Sequence, residues 1–208
     1  MKKLFLIYIL LLTRTLFSED FTIYTKDRLI SPNLREYTFV EALKLMSERN
    51  VKTIVETGTA RAGAAGFNGD GGSTIILGHW AHNHNARMFS VDINPDYVVA
   101  SRSACKEYEN GITFVCSDSL KFLHAFKDTI DFLYLDSLDY DFDNPTISQE
   151  HHLNEIKAIY KNLHDNAIIM IDDCGELPGG GKGGLVIPWL LDRGWKIHTK
   201  GYQVILTK

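Results

Sequence analysis

A glycine-rich loop between two apolar stretches has the residue types that bind nucleotide-like ligands. The apolar pair Ile54-Val55 leads to an acidic residue, Glu56, and six glycines follow before Ser73-Thr74 begin a second apolar run. Because glycine has no Cβ, the backbone N–H groups of such a loop can approach a ligand closely, and the N-terminus of the following helix adds partial positive charge. The segment therefore predicts a strand, a ligand-binding loop and a helix start.

Acidic residues recur where the predicted strands end. In chain order they are Glu56, Asp92, Asp118, Asp136 and the pair Asp172-Asp173. In an open parallel sheet the ligand binds beyond the carboxyl ends of the strands, so these residues are expected on one rim. Asp136, Asp172 and Asp173 would repel one another unless a cation neutralised them, and carboxylate oxygens suit Mg²⁺. These three predict a metal site; the alternative is that the pair is a solvated turn and Asp136 only closes the ligand pocket.

The hydrophobic pattern indicates the elements that position these residues. Strands are predicted over 53–56, 87–92, 112–116, 130–135, 167–171, 195–198 and 202–206, and helices over 38–49 with Thr38 as N-cap, 73–81, 95–108, 119–125, 149–162 and 184–193. Alternating short strands and helices favour a parallel sheet covered on both faces. The link between the last two strands is too short for a helical crossover, so these strands are predicted to be antiparallel.

The residues Glu56-Thr57-Gly58-Thr59, with Gly-Gly-Ser-Thr at 71–74, resemble motif I of class I S-adenosylmethionine (SAM)-dependent methyltransferases, in the branch that reads E-x-G-T-x-x-G-x-S-T. An insertion around 64–70 separates the two parts. The resemblance covers about residues 38–208. It implies an α/β fold, a doubly wound, mostly parallel seven-stranded Rossmann-like sheet with a C-terminal antiparallel hairpin, and SAM as the cofactor.

The same resemblance implies which residues hold SAM. Glu56 and the loop would hold its methionine and ribose parts, Asp92 would accept hydrogen bonds from the ribose hydroxyls, and Asp118 would approach the adenine. Asp92 and Asp118 have an alternative interpretation as helix N-caps. The full set of predicted cofactor-binding residues is Glu56, Gly58, Thr59, Ser73, Thr74, Asp92, Ile93, Ser117, Asp118 and Ser119.

Metal-dependent O-methyltransferases with this fold place an aspartate after the fourth strand and an acidic or amide pair after the fifth, as Asp136 and Asp172-Asp173 do here. The resemblance therefore implies that Mg²⁺ lowers the pKa of an acceptor hydroxyl. The candidate catalytic residues are Asp136, His151 and His152, a histidine being a possible general base. Adjacent helical residues point about 100° apart, so only one of the two histidines can face the site; the alternative is that both are surface residues.

Three further features have two interpretations each. His79, His82 and His84 are expected at a solvated helix end, with a metal site as the alternative. The glycine run 178–184 is either a flexible lid or a disordered connection, and the loop 137–149 either shapes the acceptor pocket or covers it.

Length and composition restrict the function classes. A chain of 208 residues with 45% hydrophobic residues fits one domain, and a net charge of −4 gives no basic footprint for nucleic acid, which favours a small-molecule or protein substrate. The odd number of dispersed cysteines predicts free thiols in the cytoplasm. A homodimer is left open.

The N-terminal residues argue against a simple cytoplasmic location, because Lys2-Lys3 and an apolar run over 4–12 resemble a signal peptide. Residues 1–18 are predicted as a signal-like or membrane-associated segment, 19–37 as an N-terminal arm and 38–208 as the methyltransferase domain. A secretory signal and an ordinary helix are the alternatives for residues 1–18.

The sequence thus predicts a SAM-dependent methyltransferase that methylates an oxygen of a small molecule with divalent-metal assistance. Two alternatives are kept. An NAD-binding Rossmann enzyme is disfavoured because Ala60 replaces the second glycine of G-x-G-x-x-G. A methyltransferase-like domain that binds SAM without turnover is the other.

Overall fold

A seven-stranded sheet forms the centre of the computed structural model, which describes residues 19–29, 34–66, 72–175 and 177–208. Its strands are β1 Thr53–Thr57, β2 Arg87–Asp92, β3 Ile112–Cys116, β4 Ile130–Leu135, β5 Leu163–Ile171, β6 Lys196–Lys200 and β7 Val204–Thr207. The spatial order is β3-β2-β1-β4-β5-β7-β6; β7 pairs antiparallel with both β5 and β6, and the other pairs are parallel. The predicted doubly wound sheet with a C-terminal antiparallel hairpin is confirmed.

Helices cover both faces of the sheet. They are α1 Glu36–Glu48, α2 Ser73–His84, α3 Pro95–Ala104, α4 Ser119–Ala125, α5 Pro145–Ile159 and α6 Val186–Leu191. One buried cluster joins the sheet to α1 and α2 through Phe39 and Trp80, and a second joins it to α5 and α6 through Ile156 and Leu190. The central strands β1 and β4 are buried on both faces, and of their residues only Asp131 is half-buried rather than buried.

The predicted N-cap at Thr38 is wrong, because α1 begins two residues earlier. Thr38 lies inside the helix and is fully buried, and its hydroxyl lies 2.5 Å from Oε1 of Gln203, to which it donates. Gln203 belongs to the C-terminal hairpin, so a tertiary hydrogen bond rather than a cap explains the polar residue. Local sequence carries no signal for such a partner.

Helix α5 begins at Pro145, not at Gln149 as predicted. Pro145 occupies the first helical position, where its missing N–H has no intrahelical partner to lose. The loop between β4 and α5 is correspondingly shorter. Helix α3 ends at Ala104, earlier than predicted, and a 3₁₀ turn over Lys106–Gly111 follows.

The predicted N-terminal arm packs closely on the domain. A 3₁₀ turn forms at Phe21–Tyr24, and Tyr24 and Leu29 are each 1% exposed within the core that includes Trp80. The predicted segment 1–18 lies outside the described residues, as does most of the insertion at 64–70. In the described part of the chain, none of the helices combines the length and apolar character needed to cross a membrane.

The histidines of α2 contact aromatic rings. His84 stacks on Trp80 with 4.0 Å between ring centroids, and His79 stacks on Tyr108 at 4.5 Å. Among the described residues the histidines of α2 form no group that could hold a metal ion. Stacking, in addition to the predicted helix end, therefore accounts for these side chains. The cysteines Cys105, Cys116 and Cys174 are free thiols.

Candidate active site

Two adjoining cavities open beyond the carboxyl ends of β1, β2, β4 and β5. The larger has a volume of about 320 Å³ and the smaller about 140 Å³. The two share the wall residues Gly58, Asp92, Ile93, Ser137 and Leu138. Because the wall is common to both, the cavities can hold the two ends of one elongated ligand.

Gly58 joins the three strands that meet at this wall. Its N–H donates to the main-chain oxygen of Val91 at 2.8 Å, and its φ of +84° lies in the left-handed region. A Cβ at this position would overlap the main-chain oxygen of Asp136. Glycine is required here by both the backbone conformation and the close approach to β4.

Glu56 lies behind the loop and does not line either cavity. Its buried carboxylate accepts hydrogen bonds from Ser73 Oγ at 2.6 Å, Thr74 Oγ1 at 2.7 Å and Ser90 Oγ at 2.6 Å. Burial raises the pKa of Glu56 to about 7, against the three hydroxyl donors, which lower it. The predicted cofactor residues Glu56, Ser73 and Thr74 thus hold the loop to the start of α2, while Gly58 and Thr59 line the larger cavity.

Asp92 stands at the common wall with both carboxylate oxygens oriented by the backbone. Oδ2 accepts from the N–H of Thr59 at 3.2 Å and Oδ1 accepts from the N–H of Asn94 at 2.8 Å. The cap of α3 is Asn94, whose side chain accepts from the N–H of Asp96 at 2.9 Å. The alternative interpretation of Asp92 as that cap is therefore excluded.

The smaller cavity is lined by Ile93, Ser117, Asp118 and Ser119, four of the residues that the sequence predicted to bind the cofactor. Ile93 is 70% exposed at the boundary of the two cavities, so its side chain is available to a ligand. Asp118 also caps α4, accepting from the N–H of Lys121 at 2.8 Å. Asp118 therefore both lines the smaller cavity and caps α4.

Only one of the adjacent histidines of α5 reaches the site. His151 lines the smaller cavity, with Nε2 3.2 Å from Ser119 Oγ and 3.4 Å from Oε1 of the buried Glu155. The neighbouring carboxylate of Glu155 raises the pKa of His151. His152 is fully buried, its Nδ1 donates to the main-chain oxygen of Ser148 at 2.7 Å, and burial lowers its pKa to about 4. His152 lines neither cavity.

The three aspartates predicted to bind metal converge on the larger cavity. Asp136, Asp172 and Asp173 all line it, and one carboxylate oxygen from each lies within 4.8 Å of the others. The sheet positions them, since the N–H of Asp136 donates to Thr57 O and that of Asp172 donates to Leu135 O. The expected convergence of strand ends is observed.

Two cationic side chains that sequence reasoning missed neutralise this cluster. Nζ of Lys182 donates to Asp136 Oδ1 and lies 2.9 Å from Asp173 Oδ2, while Arg35 lies 3.3 Å from Asp172 and 3.2 Å from Asp173. Burial lowers the pKa of Lys182, but the attraction of the surrounding carboxylates outweighs this effect, so the pKa of Lys182 lies above its usual value. Lys182 is therefore charged although only 1% exposed.

The glycine run after β5 is a folded turn that directs Lys182 inward. Gly179, Gly180 and Gly181 have φ of 63°, 84° and 57°, and Gln149 Nε2 donates to the main-chain oxygens of Gly179 and Gly181 at 3.1 and 3.0 Å. The N–H of Lys182 donates to Asp173 O at 3.0 Å. The predictions of a flexible lid and of a disordered connection both miss this anchored turn. Lys182 is the one lysine inside this glycine run and lies nine residues after Asp173, and nothing in that spacing indicated the ion pair.

An ion pair joins the loops that follow β1 and β4. Arg61 Nη1 lies 3.0 and 2.8 Å from the two carboxylate oxygens of Asp139, and both residues line the larger cavity. Together with Arg35 and the aspartates, this pair gives the larger cavity a polar, charged lining. Such a lining suits a polar ligand rather than an extended apolar one.

Comparisons with known proteins show the family of the chain and support its fold. A family model described as a methyltransferase domain matches residues 68–174, just over half of the chain. No curated protein matches the sequence. Solved structures of similar fold include the SAH-bound methyltransferase PaMTH1 of Podospora anserina, with 15% identity, 83% of this chain and 78% of that chain covered, and a TM-score of 0.59.

Two further structures are similar at comparable levels. A methyltransferase from Geobacter sulfurreducens has 16% identity, covers 82% of this chain and 76% of its own, and has a TM-score of 0.55. An O-methyltransferase from Bacillus cereus in complex with SAH has 15% identity, covers 93% of this chain and 94% of its own, and has a TM-score of 0.55. At these identities the similarity shows the fold alone.

Proposed function

The chain belongs to the methyltransferase-domain family, and from this premise we propose that it transfers the methyl group of SAM to an oxygen of a small polar molecule. The observation that carries the proposal is the pair of cavities that share Gly58, Asp92 and Ile93 at the strand ends. One elongated cofactor can cross that wall, leaving the rest of the larger cavity for an acceptor.

The orientation of the cofactor follows from the residues of each cavity. The adenine would occupy the smaller cavity against Ile93 and Asp118, and the ribose hydroxyls would donate to Asp92, whose carboxylate the backbone already orients. The methionine part would lie along Gly58 and Thr59. The SAH named with the Podospora and Bacillus structures supports SAM as the cofactor.

The acceptor would bind between the methyl group and the aspartate cluster. The acceptor oxygen attacks the methyl carbon in line, the carbon–sulfur bond breaks with its electron pair left on sulfur, and neutral SAH leaves. The hydroxyl proton passes to the carboxylate of Asp136. Burial and the neighbouring Asp172 and Asp173 raise the pKa of Asp136, while the ammonium of Lys182 lowers it and pairs with the ionised carboxylate that accepts this proton. Alignment of the two reactants supplies most of the rate enhancement.

In this proposal neither the histidines of α5 nor a metal ion acts on the acceptor. His151 lies at the smaller cavity, so it supports the adenine side rather than the acceptor, and the buried His152 contacts neither. The carboxylates are of the chemical type that binds Mg²⁺. As arranged, however, they do not fit a metal ion, because Lys182 and Arg35 already occupy them.

Calorimetric titration of the full chain with SAM, SAH and NAD tests the proposal. SAM and SAH are expected to bind with micromolar affinity and NAD to show no binding. Asp92→Ala should weaken SAM binding by at least about tenfold, since hydrogen bonds to a charged group contribute roughly 1.5–3 kcal/mol. Asp165→Ala, an exposed aspartate paired with Lys208, is the control. Binding of NAD alone would favour the Rossmann-enzyme alternative.

Turnover separates the enzyme from a domain that only binds SAM. Incubation with radiolabelled SAM and a panel of hydroxylated small molecules should yield labelled methyl ether and SAH. Asp136→Asn should lower this turnover while leaving SAM affinity within about threefold, because Asp136 is assigned to the acceptor rather than to the cofactor. SAM binding with no turnover on any acceptor would support the binding-only alternative.

A further inference from the structure

The ammonium of Lys182 occupies the centre of the aspartate cluster, where the sequence predicted a divalent ion. It donates to Asp136 at the end of β4 and lies 2.9 Å from Asp173 after β5, so it bridges the two strand ends. A bridging cation between these two carboxylates is what the predicted Mg²⁺ would have supplied. The cation comes instead from the chain itself.

The other carboxylate oxygens of the cluster also have donors. Arg35 Nε lies 3.3 Å from both oxygens of Asp172, and Asp173 Oδ1 accepts from Arg35 Nη2 at 3.2 Å and from Tyr202 OH at 2.5 Å. At least five of the six carboxylate oxygens therefore face a donor from a described side chain. A metal ion would have to displace these donors to gain three protein ligands.

Distance and charge both oppose the presence of a metal beside Lys182. A Mg²⁺ ion on the same oxygens would lie about 2.1 Å from each of them, in the space that the ammonium fills. The three carboxylates already face the two positive charges of Lys182 and Arg35, so a divalent ion would gain little attraction and meet two cations at close range. The three carboxylates and the two cationic side chains together carry a net charge of only about −1.

The position of Lys182 is built into the fold. The side chain is 1% exposed, and Gln149 and Asp173 hold the glycine turn that carries it. A surface lysine that had folded over the cluster would have neither this burial nor these main-chain anchors. The cation is thus as fixed as the aspartates it bridges.

We infer that Lys182 replaces the divalent metal ion, so that this protein positions its acceptor-side carboxylates with a built-in cation and needs no metal. Lys182 acts as a positioning residue: it holds Asp136 and Asp173 against the larger cavity while the aspartates face the acceptor. Its part in methyl transfer rests on the proposed function, whereas the exclusion of metal from the cluster does not.

Binding of Mn²⁺, followed by electron paramagnetic resonance on the full chain, tests this directly. The wild type should show no site that depends on Asp136. Lys182→Gln removes the charge, and this variant should bind one Mn²⁺ at least about tenfold more tightly than the wild type, in the range of carboxylate-rich sites. Adding Asp136→Asn to Lys182→Gln should abolish the new site. Lys182→Arg keeps the charge and should not gain it.

Lys44→Met is the matched control, because Lys44 also pairs with a carboxylate, Glu41, at 2.6 Å but far from the cavity. Wild-type binding of Mn²⁺ that is lost in Asp136→Asn would overturn the inference, and this arm decides the question even where Lys182→Gln does not fold. A folded Lys182→Gln variant with no new site would overturn it as well. Titration of the wild type with SAM, in the presence of EDTA or Mg²⁺, tests the proposed function separately. If SAM did not bind, the proposed function would fail while the Mn²⁺ result would still stand.

Discussion

Gly58 lies against the main-chain carbonyl of Asp136 with no room between them for a Cβ atom. This contact ties the loop after β1 to the end of β4, and through the hydrogen bond from Gly58 N to Val91 O it also ties the loop to β2. The cofactor wall and the acceptor-side aspartate are therefore parts of one rigid unit. A change at Gly58 should disturb both.

Gly58→Ala is expected to destabilise the protein and weaken SAM binding. Gly194 has the same φ of +84°, but a Cβ atom there would meet nothing within 4 Å, so Gly194→Ala isolates the backbone strain. That strain costs about 1–2 kcal/mol, and the collision at Gly58 should add roughly 1–3 kcal/mol. Urea unfolding and SAM calorimetry measure the two effects. Equal destabilisation by both variants would show that β4 yields to the extra methyl.

Glu56 should make stability depend on pH in the neutral range. Its folded-state pKa is about 7 against an ordinary 4.5, so between these values the folded protein keeps a proton that the unfolded chain has released. The stabilising contribution is complete below pH 4.5 and is lost as pH rises through 7. The total amounts to about 3 kcal/mol.

Glu56→Gln removes this titration while keeping the shape of the side chain. The free energy of unfolding of the wild type, minus that of Glu56→Gln, should therefore fall by about 3 kcal/mol between pH 4 and pH 8. Urea unfolding at intervals of one pH unit gives the curve. A difference that stays constant across this range would contradict the raised pKa of the buried Glu56.

His152 should act in the opposite direction at lower pH. Burial lowers its pKa to about 4 from an ordinary 6.5. Between these pH values His152 is protonated in the unfolded chain and neutral in the folded protein. The stabilisation is present above pH 6.5 and is lost as pH falls through 4, by about 3 kcal/mol. His152→Leu should lose less stability than the wild type between pH 7 and pH 4, as urea unfolding at the two pH values will measure.

SAM affinity separates this stabilising role of His152 from a role in binding the cofactor. His152 lines neither cavity, so His152→Leu should bind SAM at pH 7 as the wild type does. His151→Asn, one residue earlier, should weaken SAM binding because it alters the smaller cavity. If His152→Leu weakened SAM binding more than His151→Asn, then His152 rather than His151 would be the histidine of α5 that faces the cofactor.

The rim of the sheet could be predicted because strand ends obey a general rule. Parallel strands place their carboxyl ends on one edge, so Asp92, Asp136 and Asp172 could be assigned to a common site from local patterns alone. Arg35 and Lys182 could not, because they reach the cluster from before α1 and from after β5. Such long-range ion pairs have no periodicity or spacing in the sequence.

The same limit explains the other differences. The acidic cluster correctly indicated that a cation was needed, but charge repulsion does not say whether that cation is a metal or a side chain. The glycine run predicts flexibility because glycines permit many conformations; the bonds from Gln149 to Gly179 and Gly181 that select one of them are tertiary. Glycine composition therefore predicts the freedom of a segment, not its final structure.

Gly181 offers the sharpest test of that selected conformation. A Cβ at Gly181 would overlap the main-chain oxygen of Asp173, whereas at the adjacent Gly180 it would meet nothing within 4 Å; both residues have positive φ. Gly180→Ala should therefore cost only the backbone strain of about 1–2 kcal/mol. Gly181→Ala must shift the turn and draw Lys182 away from Asp136 and Asp173.

Because breaking a buried ion pair costs about 3–5 kcal/mol, Gly181→Ala should be destabilised by at least about 3 kcal/mol more than Gly180→Ala. Urea unfolding of the two variants measures the difference, and the shared turn makes each the control for the other. Similar stabilities would mean that the turn adapts without moving the ammonium. The position of Lys182 would then be set by the carboxylates alone, and the glycines would not contribute to it.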